Sequence, residues 1–216
     1  MDQKFIREKK ELAYHAHIFD VYNDYLRLPD GKHVVYDLVD HVDGCCVLPV
    51  DEDGNLILVS QYRNAVDDIT LEVPAGCMDE GEDPGQCAVR ELEEETGYIA
   101  QELQFVTKTY LAIGTSNEQT YIYIATDLKK GIRQPDPEEF IRIRRIPLAE
   151  AMTMIQAGEI VDSKTIIAPQ RGSHSQPCYI IDEEKRIVKR NVDKCTEMLQ
   201  RRKKRRRSRN LCAETV

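Results

Sequence analysis

The sequence predicts an α+β fold, a mixed sandwich in which strands dominate and helices are few. Three observations carry this. The first third of the chain is made of extended segments rich in Tyr, Val, Ile and Phe, separated by turn residues. One segment with good helix formers and clear start and stop signals then interrupts them, over residues 83–97. Strands return after it without the regular alternation that builds a doubly wound parallel sheet.

Residues 11–20 and 21–28 read as the first two strands. Pro29-Asp30-Gly31-Lys32 supplies turn chemistry before a third strand over 33–39, so the N-terminus forms an antiparallel β-meander. Strands over 45–50 and 56–61 flank Asp51-Glu52-Asp53-Gly54-Asn55, which has glycine where positive φ is expected. A short strand over 70–73 runs into Pro74-Ala75-Gly76. Asp83 caps the helix and Pro84 opens it, because proline at the first helical position gives up no N–H that the helix needs. Residues 85–96 continue the helix and Gly97 suits its C-terminal stop. Strands over 103–111, 119–126 and 140–146 follow, the last after a loop that starts at Asp136. Helices over 148–156 and 161–168 come next, the second begun by Asp162 or Ser163, and no internal repeat is present.

A chain of 216 residues with 41% hydrophobic and 31% charged residues has the makeup of one ordinary globular domain, with or without extensions. No apolar run reaches the roughly eighteen residues a membrane span needs. The first ten residues lack the apolar stretch of a secretory signal, so a cytoplasmic protein with no membrane partner is expected. The seven cysteines are odd in number and show no C-x-x-C spacing, so they are expected to be free thiols, several of them buried. Residues 1–181 hold 17 Lys and Arg against 32 Asp and Glu, a balance of −15, whereas residues 182–216 hold 13 against 6, a balance of +7. An acidic body with a basic tail is not one nucleic-acid-binding surface. Such a body repels polyanions unless cations intervene, which points to a metal.

The chemistry concentrates in residues 76–98. At about 100° per residue, Glu91, Glu94 and Glu95 fall within one arc of the helix, while Val89 and Leu92 point elsewhere, towards a core. Like charges at that spacing repel, and a helix that gathers them on one face needs a cation. Hard oxygen ligands without a neighbouring His or Cys select Mg2+, for which Mn2+ can substitute, over zinc. A solvated acidic face is the ordinary alternative, and it is the reading kept for Glu93.

The set as a whole resembles the Nudix box, G-x5-E-x7-R-E-U-x-E-E-x-G-U, where U is a bulky aliphatic residue. Its positions are Gly76, Glu82, Arg90, Glu91, Leu92, Glu94, Glu95 and Gly97, and only Tyr98 departs, an aromatic in place of an aliphatic. The resemblance to this hydrolase family implies a mixed β-sheet sandwiched between α-helices. It also implies that Glu91 and Glu95, with the carbonyl of Ala75, bind the catalytic metal, and that Glu94 is a ligand or a charge-balancing neighbour. Arg90 would then orient the carboxylates, Glu82 would pack back on the helix, and Gly76 would allow the backbone turn. The implied activity is metal-dependent hydrolysis of a pyrophosphate bond.

The resemblance covers roughly residues 10–170. Glu72-Val73-Pro74-Ala75-Gly76, Gln61-Tyr62-Arg63 and the loop Ile113-Gly114-Thr115-Ser116-Asn117-Glu118 look like the ADP-ribose pyrophosphatase branch. That branch implies ADP-ribose split to AMP and ribose 5-phosphate, with other nucleoside diphosphate sugars or dinucleotides as alternatives. Where the branch commonly has Ser-Pro-Gly, this chain has Ala112-Ile113-Gly114. Arg63, Gly114, Ser116 and Glu118 are the expected substrate contacts, although Arg63 also suits a surface salt bridge. Glu139 is the expected general base and Glu138 its neighbour in that role, against the alternative of a plain acidic turn; Glu118 is a further candidate for orienting the water. Phe19, Tyr22 and Tyr25 suit adenine stacking, but aromatic residues in strands more often pack. His15 and His17, with no third ligand, are read as structural.

Three regions are therefore expected: a meander over 1–42 that serves a homodimer, a Nudix hydrolase domain over 43–181, and a flexible basic tail over 182–216. The tail, with QRRKKRRRSRN at 200–210 and no interleaved aromatics, is the one feature that suits nucleic acid, through salt-sensitive contacts.

Overall fold

A computed structural model of the chain describes residues 3–172 apart from 136, 138 and 139. The basic tail and the two candidate bases Glu138 and Glu139 thus lie outside the described residues.

Strands β1 (Ile6–His15), β2 (Phe19–Arg27) and β3 (His33–His41) form an antiparallel sheet in that order. The meander is present, but β1 starts at Ile6 rather than at residue 11. Its first residues, Ile6-Arg7-Glu8-Lys9-Lys10-Glu11, carry too much charge to show a strand pattern. They can do so because β1 is an edge strand exposed along its whole length. Polar contacts hold it instead: Arg7 donates Nε and Nη2 to the buried Asp24 at 2.7 and 2.8 Å. Lys9 and Lys10 lie 4.5 and 3.9 Å from the ring centroids of Tyr25 and Tyr22.

Strand β4 (Gly44–Pro49) is buried at every residue. Strands β5 (Asn55–Arg63) and β6 (Asp68–Glu72) pair with each other, and β7 (Ala75–Cys77) pairs with β4. This three-residue strand was not visible in the sequence, because pairing with Gly44, Cys45 and Cys46 defines it and no local pattern does. After helix α1 (Pro84–Thr96) come β8 (Tyr98–Tyr110) and β9 (Gln119–Lys130), both longer than their apolar patterns. The four-stranded sheet has the order β7-β4-β9-β8 and is mixed, since β4 runs parallel to β9 and the other pairs are antiparallel. Strand β10 (Arg142–Pro147) joins the antiparallel sheet β10-β5-β6. Helices α2 (Leu148–Ala157) and α3 (Ser163–Gly172) end the described fold.

Helices α1 and α3 both pack on β4, so the mixed sheet is covered by helices, the expected α+β arrangement. The core follows from two continuous apolar runs in β4 and β5. Val47, Leu48, Leu56, Ile57, Leu58 and Val59 are all 1% exposed or less. Such runs suit strands covered on both faces, and each side chain removed from water contributes roughly 1.5–3 kcal/mol.

One expectation about cysteine is corrected. Cys45 on β4 and Cys87 on α1 form a disulfide, with Cα atoms 6.3 Å apart and 42 residues between them in sequence. Neither position has a short-range spacing signal, and only the packing of α1 on β4 brings them together. Cys46 and Cys77 are free thiols, and burial pushes the Cys46 thiol up to about 12.

Candidate active site

The helix that carries the acidic residues is capped as its sequence dictates. Asp83 Oδ1 accepts from the N–H groups of Gly85 and Gln86 at 2.8 and 3.3 Å, and Pro84 occupies the first turn. Gly97 closes the helix at φ 72°, a left-handed conformation that glycine adopts without a Cβ clash, and its N–H donates to the Glu93 carbonyl at 2.7 Å. Cys87, Ala88 and Leu92 are fully buried against the sheet. Val89, expected beside them, is only half-buried and faces the outer side of the helix, one position off the buried stripe. Glu91 and Glu95 lie at the edge of that stripe, 9% and 1% exposed.

Arg90 gathers the carboxylates. Its Nε and Nη2 donate to Glu82 Oε1 and Oε2, both at 2.9 Å, a two-pronged grip suited to a guanidinium. Its Nη1 donates to Glu91 Oε1 at 2.7 Å and to Glu94 Oε2 at 3.0 Å, and Nη2 reaches the Cys77 carbonyl at 3.1 Å. The hydrogen bond to Glu82, with the charge of Glu91, raises the Arg90 pKa, while Arg90 lowers that of Glu82. The two shifts are of opposite sign and each favours the charged form, so Arg90 and Glu82 form an ion pair.

The carboxylates of Glu91 and Glu95 meet at Ala75 and Gly76, which lie in strand β7; Gly76 has an ordinary backbone conformation there, so the turn expected of it is absent. Glu95 Oε2 accepts from the Ala75 N–H at 3.3 Å. The Glu91 carboxylate fills the space beside Gly76, where an added Cβ would lie 2.0 Å from Oε1. This donor set, Glu91 and Glu95 beside β7 with Glu94 joined to Glu91 through Arg90, contains only oxygen, which fits a hard divalent cation. Among the described residues no three His, Cys, Asp or Glu side chains form a ready-made cage. Mg2+ does not require one, since it usually keeps several waters and takes substrate phosphates as ligands.

Arg63, at the end of β5, is held by a buried carboxylate. Its Nε and Nη2 donate to Glu72 Oε1 and Oε2, both at 2.8 Å, while 42% of the Arg63 side chain stays exposed. The salt-bridge alternative thus describes one edge of the guanidinium and leaves the other open. Glu72 also accepts from Lys164 Nζ at 3.1 Å and Thr70 Oγ1 at 2.6 Å. Burial raises the Glu72 carboxyl, but the hydrogen bond from Arg63 and the charge of Lys164 outweigh it and hold the group at about 2, against 4.5 for a free Glu. A depressed carboxyl contributes stability that is complete above its unfolded value and lost as pH falls through the folded one. Wild type should therefore exceed Glu72→Gln by a few kcal/mol in urea unfolding above pH 5, and the gap should close as pH falls towards 2. A gap that stays constant with pH would show that Glu72 is not ionised in the fold.

The loop before β9 is tied to the N-terminal sheet. Ser116 and Thr115 donate N–H groups to the Ala112 carbonyl at 2.8 and 2.9 Å, which curls the segment around Gly114. Thr115 accepts from the Val39 N–H at 2.8 Å, and Asn117 Nδ2 donates to Asp40 Oδ1 at 2.6 Å. Glu118 lies near β7, because its Oε1 is 3.8 Å from a Cβ built on Gly44 and its charge raises the Cys77 thiol after burial does. Ile113, in place of the proline common to the resembling branch, is 80% exposed. Asn117 and Asp40 had no signal in the sequence, because their pairing spans 77 residues.

Residues around the acidic loop are anchored to the end of α1. Arg133 Nε donates to the Glu95 carbonyl at 2.6 Å and its Nη2 to the Ile141 carbonyl at 2.8 Å, so one side chain fixes both approaches to that loop. Glu93 is more than a solvated residue: it accepts from the Ile132 N–H at 3.1 Å. An open furrow of about 750 Å3 runs along the outer face of α1, lined by Glu82, Val89, Arg90, Glu93, Glu94 and Gln134 among others. It meets the Arg90 cluster at Glu82, Arg90 and Glu94 but is not lined by Glu91 or Glu95, so it is not the place where those two converge. The aromatic candidates pack within the N-terminal sheet, Phe19 on His41 with centroids 6.2 Å apart and Tyr22 and Tyr25 beneath lysines. His15 Nδ1 pairs with Asp20 at 2.6 Å.

Comparison with known proteins adds four findings. The NUDIX domain model matches residues 40–167. The ADP-ribose pyrophosphatase of Bacillus subtilis (strain 168) is 34% identical over 172 residues, covering 77% of this chain and 93% of that protein. The GDP-mannose pyrophosphatase of Yersinia enterocolitica is 29% identical over 174 residues, covering 75% and 88%. Among solved structures, one described as an ADP compounds hydrolase superposes with a TM-score of 0.70 at 25% identity, covering 78% of this chain and 91% of that one.

Proposed function

Given that this chain belongs to the Nudix hydrolase family, we propose that it uses Mg2+ to cleave the pyrophosphate bond of a nucleoside diphosphate sugar, ADP-ribose first, giving AMP and ribose 5-phosphate. The observation that carries this reading is that Arg90 Nη1 bonds both Glu91 and Glu94, while the carboxylates of Glu91 and Glu95 lie against Gly76 and Ala75 of β7. The Ala75 carbonyl, Glu91, Glu94 and Glu95 are the groups that would hold the metal, with Mn2+ able to replace Mg2+. When bound, the metal supplies charge neutralisation at the pyrophosphate oxygens and a more acidic water. Arg63 offers its open guanidinium edge to the diphosphate, and Gly114, Ser116 and Glu118 contact the remainder of the substrate. Glu139 removes the proton of the attacking water, with Glu138 second in that role; both lie outside the described residues. Arg133 and Gln134, fixed to the end of α1, bring their segment to the box.

ADP-ribose is favoured by the name of the Bacillus relative, and a second reading, GDP-mannose, by that of the Yersinia relative. The exposed meander, with Leu12, Tyr14, Val35 and Tyr36 all more than half exposed, supports a homodimer through this sheet. No helix among the described residues is long and apolar enough to cross a membrane, and a cytoplasmic setting is part of the proposal. An RNA-associated role through salt-sensitive contacts of the basic tail is the lesser alternative.

The test is a substrate panel of ADP-ribose, ADP-glucose, GDP-mannose and a dinucleotide under Mg2+ and Mn2+, with products resolved by chromatography. ADP-ribose should give AMP and ribose 5-phosphate at the highest kcat/KM. A faster GDP-mannose reaction selects the second reading, and no turnover of any member sinks both.

A further inference from the structure

Arg63 belongs to a larger charge array than its pair with Glu72. Glu72 Oε2, already bonded to Arg63, also accepts from Lys164 Nζ at 3.1 Å, and Lys164 donates in turn to Asp162 Oδ1 at 2.8 Å. Two cations and two anions thus alternate from β5 through β6 to the start of α3. The inner three are largely shielded, with side chains 4%, 14% and 13% exposed for Glu72, Lys164 and Asp162, so solvent and salt screen them less than surface charges. Asp162 has a second task. Its Oδ2 accepts from the Thr165 N–H at 3.0 Å and from Thr165 Oγ1 at 2.5 Å, and Thr165 Oγ1 accepts from the Val73 N–H at 2.8 Å, two residues before Ala75.

An Arg63–Glu72 pair alone has no net charge and offers little attraction to a diphosphate. Lys164 shares Glu72 and adds a positive charge, and Asp162 cancels it, so the four together are neutral and removal of the charge at Lys164 or at Asp162 tips the balance that Arg63 sits in. Because only Arg63 of the four presents a substantially open side chain, the balance of the three more shielded charges sets the field that Arg63 shows to an incoming anion. We propose that Lys164 and Asp162 are positioning residues that set, with opposite signs, the affinity of Arg63 for the substrate diphosphate. This rests on the reading above that Arg63 contacts the substrate.

The two signs separate this role from simple stapling of α3 to β6. Lys164→Met removes a positive charge and keeps most of the volume. Asp162→Asn removes a negative charge and keeps an acceptor at a position where Asn and Asp cap helices equally well. The probe is ADP-ribose, with Kd measured by calorimetry in EDTA and KM and kcat measured in Mg2+. Lys164→Met should weaken Kd and raise KM about tenfold, Lys164→Arg should restore most of that loss, and Asp162→Asn should tighten binding roughly threefold. In all three variants kcat should stay within about threefold of wild type. If Lys164→Met does not fold, the direction of the Asp162→Asn shift still decides.

The inference is overturned if both charge variants weaken binding, or if melting temperatures fall while Kd and KM stay put. Arg63→Met is the control for the parent reading. Unchanged Kd and KM in that variant would show that Arg63 does not contact substrate, whereas a loss there without opposed shifts at residues 162 and 164 rejects only the positioning role. A wild-type chain that binds neither ADP-ribose nor GDP-mannose overturns both.

Discussion

Glu95→Gln is expected to lower kcat on the order of a thousandfold while leaving the melting temperature close to that of wild type. Glu95 is 1% exposed and sits in the last turn of the box helix, where its Oε2 accepts from the Ala75 N–H at 3.3 Å. Glutamine keeps the volume and an acceptor oxygen for that N–H. The variant therefore removes one negative charge while keeping that contact. If Glu95 is the ligand proposed above, a hard divalent cation loses more from this change than the fold does, because it loses an anionic ligand. Steady-state assays across a Mg2+ titration should show the loss at every metal concentration, with circular dichroism and thermal unfolding unchanged. A variant within tenfold of wild-type kcat at saturating Mg2+ would remove Glu95 from the metal site.

The residues behind that prediction were legible in the sequence for a physical reason. Gly76, Glu82, Arg90, Glu91, Glu94 and Glu95 belong to one continuous stretch of chain, so covalent spacing alone nearly dictates their neighbours. The caps Asp83 and Gly97 were legible for the same reason, since capping is decided within three or four residues. Contacts between distant segments were not. Glu72 meets Lys164 across 92 residues, Cys45 meets Cys87 across 42, and Asn117 meets Asp40 across 77. Nothing local marks either partner in these pairs. The start of β1 was hidden differently: an edge strand exposed on both faces has no apolar alternation to display. Val89 shows the limit of periodicity even inside a helix. An ideal 100° step places residues to within about one position, and at the border of the buried stripe that error decides between core and groove.

Gly76→Ala is expected to separate activity from stability. The position has an ordinary backbone conformation, so alanine brings no left-handed strain there. What it brings is a collision: the new Cβ would stand 2.0 Å from Glu91 Oε1, 2.3 Å from Cδ and 2.6 Å from Oε2. Those atoms are the end of a flexible side chain, so the carboxylate can swing away at a cost of about 1 kcal/mol or less, while the backbone stays in place. In moving, Glu91 leaves both the Arg90 Nη1 hydrogen bond of 2.7 Å and its place against Gly76 of β7. Displacement of this proposed metal ligand should lower kcat/KM by at least a hundredfold, because a displacement of about 1 Å at a reacting site already has an effect of that size. Urea unfolding should place the variant within about 1 kcal/mol of wild type. The diagnostic measurement is a Mn2+ titration followed by electron paramagnetic resonance, in which the variant should bind the ion more weakly than wild type. Near-normal activity with intact stability would mean that Glu91 works from a different rotamer. Collapse of stability would mean that β7, and not the carboxylate, gave way.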